Sequence, residues 1–427
     1  MGTKLQPFLA DTLWFGMTSR ISLDQLKDYA NIRTKQGFNA VQIVVGIPPE
    51  VGPKNKNASG ESGPAWDLEG NFNFLYLEDC EKRVKLLNNT GLKVIIYGAW
   101  GHHINWLGID KMKEWWEALI SRFEKYNVLF CLTGESNIWI GNSASLLPDK
   151  TTRDFKTKNK IKKFLEYFPF NILRGSKILK EIDYLIDTSL QKVKSETMEE
   201  RKNAWSQVAQ HVSQKTKFPL FIHTTHVESS LEAINNPNLL AAVTTQTSHS
   251  KKSKNRHWQE PLSILNKNPK LKFINLEPWY EGILNKFFTE DQLFAYWANM
   301  MSGAYAYCYG AHGIWNCGDG DFLSQWGKQT FDDALKLKSP DLIGKSHKFF
   351  MDSGAIDYPY VDVEAKNDEL ISICRKNEAG DFLKFYPKYK STFNGKENLQ
   401  YFNPLRGMVE IFPAKSSPMV IKGKSSY

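Results

Sequence analysis

The sequence predicts a closed α/β barrel of the (β/α)8 type, the TIM barrel, followed by a small C-terminal all-β sandwich domain. Three observations carry that expectation. Between residues 7 and 309, eight short apolar runs alternate with helical stretches, the pattern of a parallel sheet that closes on itself. Polar residues collect where those runs end: Asp11, His102, Glu135, His223, Gln246, Glu277 and His312 fall at or just past a strand's carboxyl end, the face on which such barrels build sites. After Gly354 the texture changes to short strands separated by turn signals such as Glu378-Ala379-Gly380. The division places the barrel at residues 1–354, with an insertion near 141–187, and the sandwich at 355–427.

The elements follow in order. Residues 7–16 read as a first strand that brings Asp11, Thr12 and Trp14 toward its end. Ser22 and Gln25 form a capping box for a helix over 23–36, closed by Gly37. Residues 38–45 are an almost unbroken apolar run, as expected of a strand buried on both faces. A long polar loop through Pro64, Trp66 and Asp67 precedes a helix over 77–89 and a strand over 93–97. That strand delivers Gly98, Trp100, Gly101, His102 and His103. A helix over 110–126 leads to a fourth strand over 127–133 that ends in Gly134, Glu135, Ser136 and Asn137. The Lys- and Asn-rich segment 141–187 breaks the rhythm and reads as the insertion, before an amphipathic helix over 196–214 with Trp205 and Val208 inward. Strands over 218–223, 239–245, 272–276 and 304–309 complete the barrel, the last two flanking a helix over 290–301. Six short strands are expected in the tail, at 360–364, 370–375, 382–386, 400–402, 408–412 and 419–422.

Composition narrows the function classes. At 427 residues, with 41% hydrophobic and 24% charged residues, the chain is an ordinary globular protein. Its net charge of +9 is spread along the chain rather than gathered in an arm, which argues against nucleic-acid binding and leaves an acidic polysaccharide electrostatically welcome. Thirteen tryptophans suit a carbohydrate site, although cores use them too. Five cysteines without CxxC spacing give neither a disulfide framework nor a zinc cluster; Cys131 and Cys308 read as buried thiols. No membrane-spanning stretch is present. Met1–Gln6, followed at once by a strand, does not read as an export signal. That points to the cytoplasm, or to a secreted or periplasmic chain whose signal has been removed.

The stretch K-F-I-N-L-E-P-W-Y-E-G over 272–282 concentrates the chemistry. A buried strand stops at Glu277, Pro278 forbids its continuation, and Trp279 and Tyr280 add two flat side chains. A carboxylate at the mouth of an apolar strand beside aromatic faces is what glycosidic-bond cleavage requires. Glu135, in T-G-E-S-N, lies across the barrel and supplies a second carboxylate. One is expected to be a general acid/base with a raised pKa and the other a nucleophile.

Four motifs resemble the apiosidase-like glycoside hydrolases, also described as collagenases or as a domain of unknown function: P-F-L-A-D-T-L-W over 7–14, K-Q-G-F-N-A-V-Q over 35–42, E-P-W-Y-E-G over 277–282 and Y-G-A-H-G-I-W over 309–315. Y-F-N-P-L-R-G over 401–407 resembles the signature of the collagen-binding-type β-sandwich that follows such barrels. The resemblance implies a retaining hydrolase of the large barrel clan, with Glu277 as nucleophile and Glu135 as acid/base. Where that clan usually carries an asparagine before the acid/base, this chain has Gly134.

The remaining rim residues are candidates for carbohydrate contacts. Asp11 can hold two sugar hydroxyls, or plug the barrel, or pair with Arg20. Trp14, Trp100, Trp279 and Trp315 can stack on sugar rings, and His102, Asn137, His223, Gln246 and His312 can hydrogen-bond hydroxyls. Tyr280 can bond the nucleophile and orient it. No cofactor is expected. Two alternatives stand beside the glycosidase: a metal-dependent amidohydrolase-type barrel using His102, His103, His223, His226 and His249, and a barrel that binds glycan without turnover. The first lacks the H-x-H pair after strand one, which ends D-T-L-W.

Overall fold

A computed structural model describes residues 4–138, 198–389, 399–411 and 417–424. The expected insertion at 141–187 lies outside them.

Eight parallel strands form one sheet: β1 (Leu9–Thr12), β2 (Ala40–Val44), β3 (Lys93–Tyr97), β4 (Val128–Cys131), β5 (Leu220–Phe221), β6 (Val243–Gln246), β7 (Phe273–Glu277) and β8 (Ala304–Cys308). Their order is β5-β4-β3-β2-β1-β8-β7-β6. The two end strands meet where the Ala241 N–H donates to the Leu220 carbonyl at 2.9 Å, which closes the ring. β2 is buried along its whole length, as its apolar run predicts.

Around the sheet lie α1 (Leu23–Lys35), α2 (Phe74–Asn89), α3 (Ile104–Phe123), α4 (198–215), α5 (Ser230–Ala233), α6 (Arg256–Lys267), α7 (Thr289–Met301), α8 (Phe331–Leu335) and α9 (Ser339–Asp352). The Ser22–Gln25 capping box opens α1 as expected. α2 starts three residues early because Asn73 accepts from the Tyr76 amide and caps it there. Two helices stand beyond the sequence expectations, α6, which carries Pro261 inside it, and α9. The first strand is shorter than expected. The chain turns after Thr12, through Gly16 N–H to Leu13 O at 3.0 Å, and carries Trp14 onto the floor beneath the barrel mouth.

The tail forms β9 (Tyr360–Lys366), β10 (Glu369–Lys376), β11 (Asp381–Tyr386), β12 (Gln400–Asn403), β13 (Met408–Glu410) and β14 (Met419–Lys424), antiparallel in the order β13-β12-β14-β11-β10-β9. One face of this sheet packs on the barrel: Phe385 stacks on Trp297 of α7 at 5.9 Å, and Phe402 on Phe349 of α9 at 4.5 Å. Arg375 crosses the junction to the carbonyls of Met300, Ile356 and Tyr358. Among the described residues the tail is therefore a single sheet, and barrel helices form the layer that a sandwich would supply with a second sheet.

Candidate active site

Glu277 ends β7 beside a register irregularity. Thr245 pairs with Asn275, but Gln246 pairs with Glu277, so Leu276 is skipped. Such a bulge re-aims the side chains beyond it. Here it brings Gln246 Nε2 to Glu277 Oε1 at 2.8 Å. His249 Nε2 reaches the same oxygen at 2.9 Å. The Tyr280 amide donates to His249 Nδ1 at 3.3 Å, which leaves the ring proton on Nε2, aimed at the carboxylate. His223 is arranged alike: Nδ1 faces the Glu135 amide at 3.4 Å, and Nε2 stands 3.7 Å from Glu277 Oε2. Burial pushes the His223 pKa down to about 4, so its ring is neutral. Burial would push the Glu277 carboxyl up. The His249 hydrogen bond, the electrostatic pull of the two imidazoles and the Gln246 amide outweigh it and hold the group below the usual carboxylate range. Oε1 is saturated by two donors, while Oε2 makes no short contact.

Glu135 sits four residues past β4 with a left-handed φ of 43°, a strained conformation of the kind that persists at functional sites. The turn is built by close approach. A Cβ on Gly134 would stand 2.2 Å from the Trp100 ring, and one on Gly101 would stand 2.1 Å from the Glu135 carbonyl oxygen. With the ring there, Trp100 Nε1 donates to Glu135 Oε2 at 3.0 Å. Burial and the negative charge of Glu277 push the Glu135 carboxyl up to about 8, with a further push from Glu50, against the Trp100 and Gln246 hydrogen bonds. The two carboxyls are thus driven apart, one charged and one protonated at neutral pH.

The floor is aromatic. Trp14 packs edge-on against Tyr97 at 4.7 Å and Trp100 at 5.5 Å, and gives its Nε1 proton to the Tyr280 hydroxyl at 3.1 Å. Below it, Gln42 ties the Thr12 hydroxyl to the Leu276 carbonyl, and Tyr97 donates to Gln42 at 2.8 Å. Trp315 lies 6.4 Å from the Tyr280 ring and 5.8 Å from His312 on the β8 side.

Several expected ligands have other work. Asp11 points out of the barrel toward α1, where it takes the Tyr29 hydroxyl at 3.0 Å and the Arg33 guanidinium; it is fully buried and its partner is not Arg20. Trp279 turns away from the mouth, stacks on Phe287 at 4.6 Å and bonds Ser250 and Ser253. Asn137 joins two loops, accepting from the Thr225 amide and donating to Glu228. Tyr280 orients the nucleophile candidate through its backbone and His249; its hydroxyl goes to Trp14. His102 is buried behind the Glu135 loop, on the turn whose Gly101 amide donates to the Gly134 carbonyl at 2.7 Å. His223 and His249 point N–H groups at a carboxylate, a geometry for hydrogen bonding and not for holding a metal through those nitrogens. His249 is not among the sugar-site residues that the sequence suggests. It lies three residues beyond β6, past a left-handed Ser248 with φ 73°, and no spacing rule reports such a turn.

A parallel barrel with one carboxyl group just past its fourth strand and another ending its seventh has the arrangement of a glycoside-hydrolase type of barrel. The chain belongs to the apiosidase-like family: residues 6–355 match its catalytic domain. Among solved structures, one described as a glycoside hydrolase superposes with a TM-score of 0.69 at 13% identity, over 98% of this chain and 93% of its own. A glycoside hydrolase family 5 protein from Bacteroides vulgatus gives 0.69 at 14% identity, over 98% and 89%. No curated protein sequence matches.

Proposed function

We propose that the protein hydrolyses a glycosidic bond with retention of anomeric configuration, Glu277 being the nucleophile and Glu135 the acid/base. The observation that carries this reading is the asymmetry of the pair. Three side chains aim N–H groups at Glu277, whereas Glu135 is half-buried and pushed up to about 8. The single Gln246 amide bonds Glu277 at 2.8 Å and also favours the ionised form of Glu135. One amide serving both groups suits the ~5–5.5 Å carboxyl separation of retaining enzymes better than a gap that admits water.

In the first step Glu277 Oε2 attacks the anomeric carbon as its bond to the leaving oxygen breaks. That oxygen takes the proton of Glu135, which resides on Oε1 because Oε2 accepts from Trp100. In the second step Glu135 takes a proton from water, the water oxygen attacks the same carbon, and Glu277 departs. Proton NMR of the first-formed anomer, with Glu277→Gln as the inactive control, tests the assignment. A product of inverted configuration, or a Glu277→Gln variant within a few-fold of wild type, would overturn it.

A further inference from the structure

Behind the Glu135 loop lies a cation with no counter-charge among the described residues. Arg201 on α4 is 1% exposed. Its Nε donates to Asn105 Oδ1 at 3.1 Å, but Nη1 and Nη2 have no hydrogen-bond partner. One turn further along α4, Trp205 Nε1 donates to the Gly101 carbonyl at 3.2 Å. α4 therefore grips the 101–105 turn at both ends, and His102 lies between the two contacts. His102 is also 1% exposed, and both its ring nitrogens lack partners. Among the described residues no carboxylate pairs with either side chain. Burial lowers the Arg201 pKa only to about 9, so the guanidinium keeps its charge at neutral pH.

An arginine seldom stays buried and charged without an anion, because desolvation without pairing is strongly unfavourable. The neighbouring imidazole adds an N–H donor whichever tautomer it adopts. We propose that Arg201 and His102 form a buried site for a small inorganic anion of halide size, which braces the 101–105 turn against the Glu135 loop. The enclosure favours a small ion, since Arg201 and His102 are each 1% exposed.

The test is independent of catalysis. Wild-type protein is dialysed into sodium gluconate and titrated with sodium chloride at constant ionic strength while its melting temperature is followed. Saturating a site present only in the folded chain should raise the midpoint by on the order of 2 °C. Sodium glucuronate should act like gluconate, and a rise equal to that given by chloride would overturn the small-ion assignment. Arg201→Gln should abolish the chloride response. Since that variant could fail to fold, crystals of the wild type grown in bromide provide the second measurement. An anomalous peak within hydrogen-bonding reach of Arg201 is expected. Equal melting in chloride and gluconate together with no bromide peak would refute the site.

Discussion

The His249 ring is held by the amide of a residue three positions beyond Glu277, the carboxylate it serves. Tyr280 N–H meets Nδ1 at 3.3 Å and Nε2 meets Glu277 Oε1 at 2.9 Å. The proposed nucleophile and its orienter are thus fixed to one short stretch of backbone, and the tautomer follows from the fold. Replacing His249 with Ala removes a donor that stabilises the charged carboxylate. The acidic limb of kcat/KM should therefore move to higher pH, and kcat should fall by roughly 10- to 100-fold. A pH–rate profile with an unmoved acidic limb would remove His249 from this role.

The raised pKa of Glu135 carries a stability signature. The folded chain holds this proton up to about pH 8, whereas an unfolded glutamic acid releases it near the ordinary ~4.3. Between these values the native state binds more protons, so the stability contributed by Glu135 is complete below the lower value and is lost as pH rises through the upper one. Glu135→Gln cannot ionise and should melt at a higher temperature than wild type at pH 9, with a smaller difference at pH 5. Equal differences at both pH values would contradict the assigned protonation.

Trp100→Phe deletes the N–H that favours ionised Glu135 while keeping most of the ring. The alkaline limb of the rate profile should shift upward, because the acid then holds its proton more tightly. A downward shift would show that the tryptophan acts in some other way.

Trp279→Ala separates scaffold from site. The ring is buried against Phe287, and its Nε1 is bonded to Ser250 and Ser253. The substitution should cost about 3–5 kcal/mol of stability, while KM of the remaining folded protein stays within a few-fold. A large rise in KM with unchanged melting would restore Trp279 as a sugar platform.

The strand–helix rhythm placed the barrel, and the strand ends placed both glutamates, because position along the barrel axis is written in the sequence. Which face a residue takes is not. Barrel strands are buried on both sides, so β1 shows no alternation to tell that Asp11 turns toward Arg33. Trp279 and Glu281 share the motif of Glu277 yet brace the scaffold, Glu281 by accepting from Tyr309 at 2.6 Å and Ser339 at 2.7 Å. A motif contains residues that hold a site as well as residues that work in it. Gln246 was found because it ends a strand; the bulge that aims it at Glu277 leaves no trace in composition.

Positions 100 and 134 are bound in a way that limits how this site can change. An asparagine at 134 needs a Cβ there, and that atom would stand 2.2 Å from the Trp100 ring. Any larger residue at 134 must wait until the ring at 100 is gone, and losing the ring first strips Glu135 of its one indole donor. Each single step passes through a damaged form, so the pair constitutes an epistatic lock. A variant library built one position at a time will score larger residues at 134 as losses, whereas a library that varies the two together can cross between solutions.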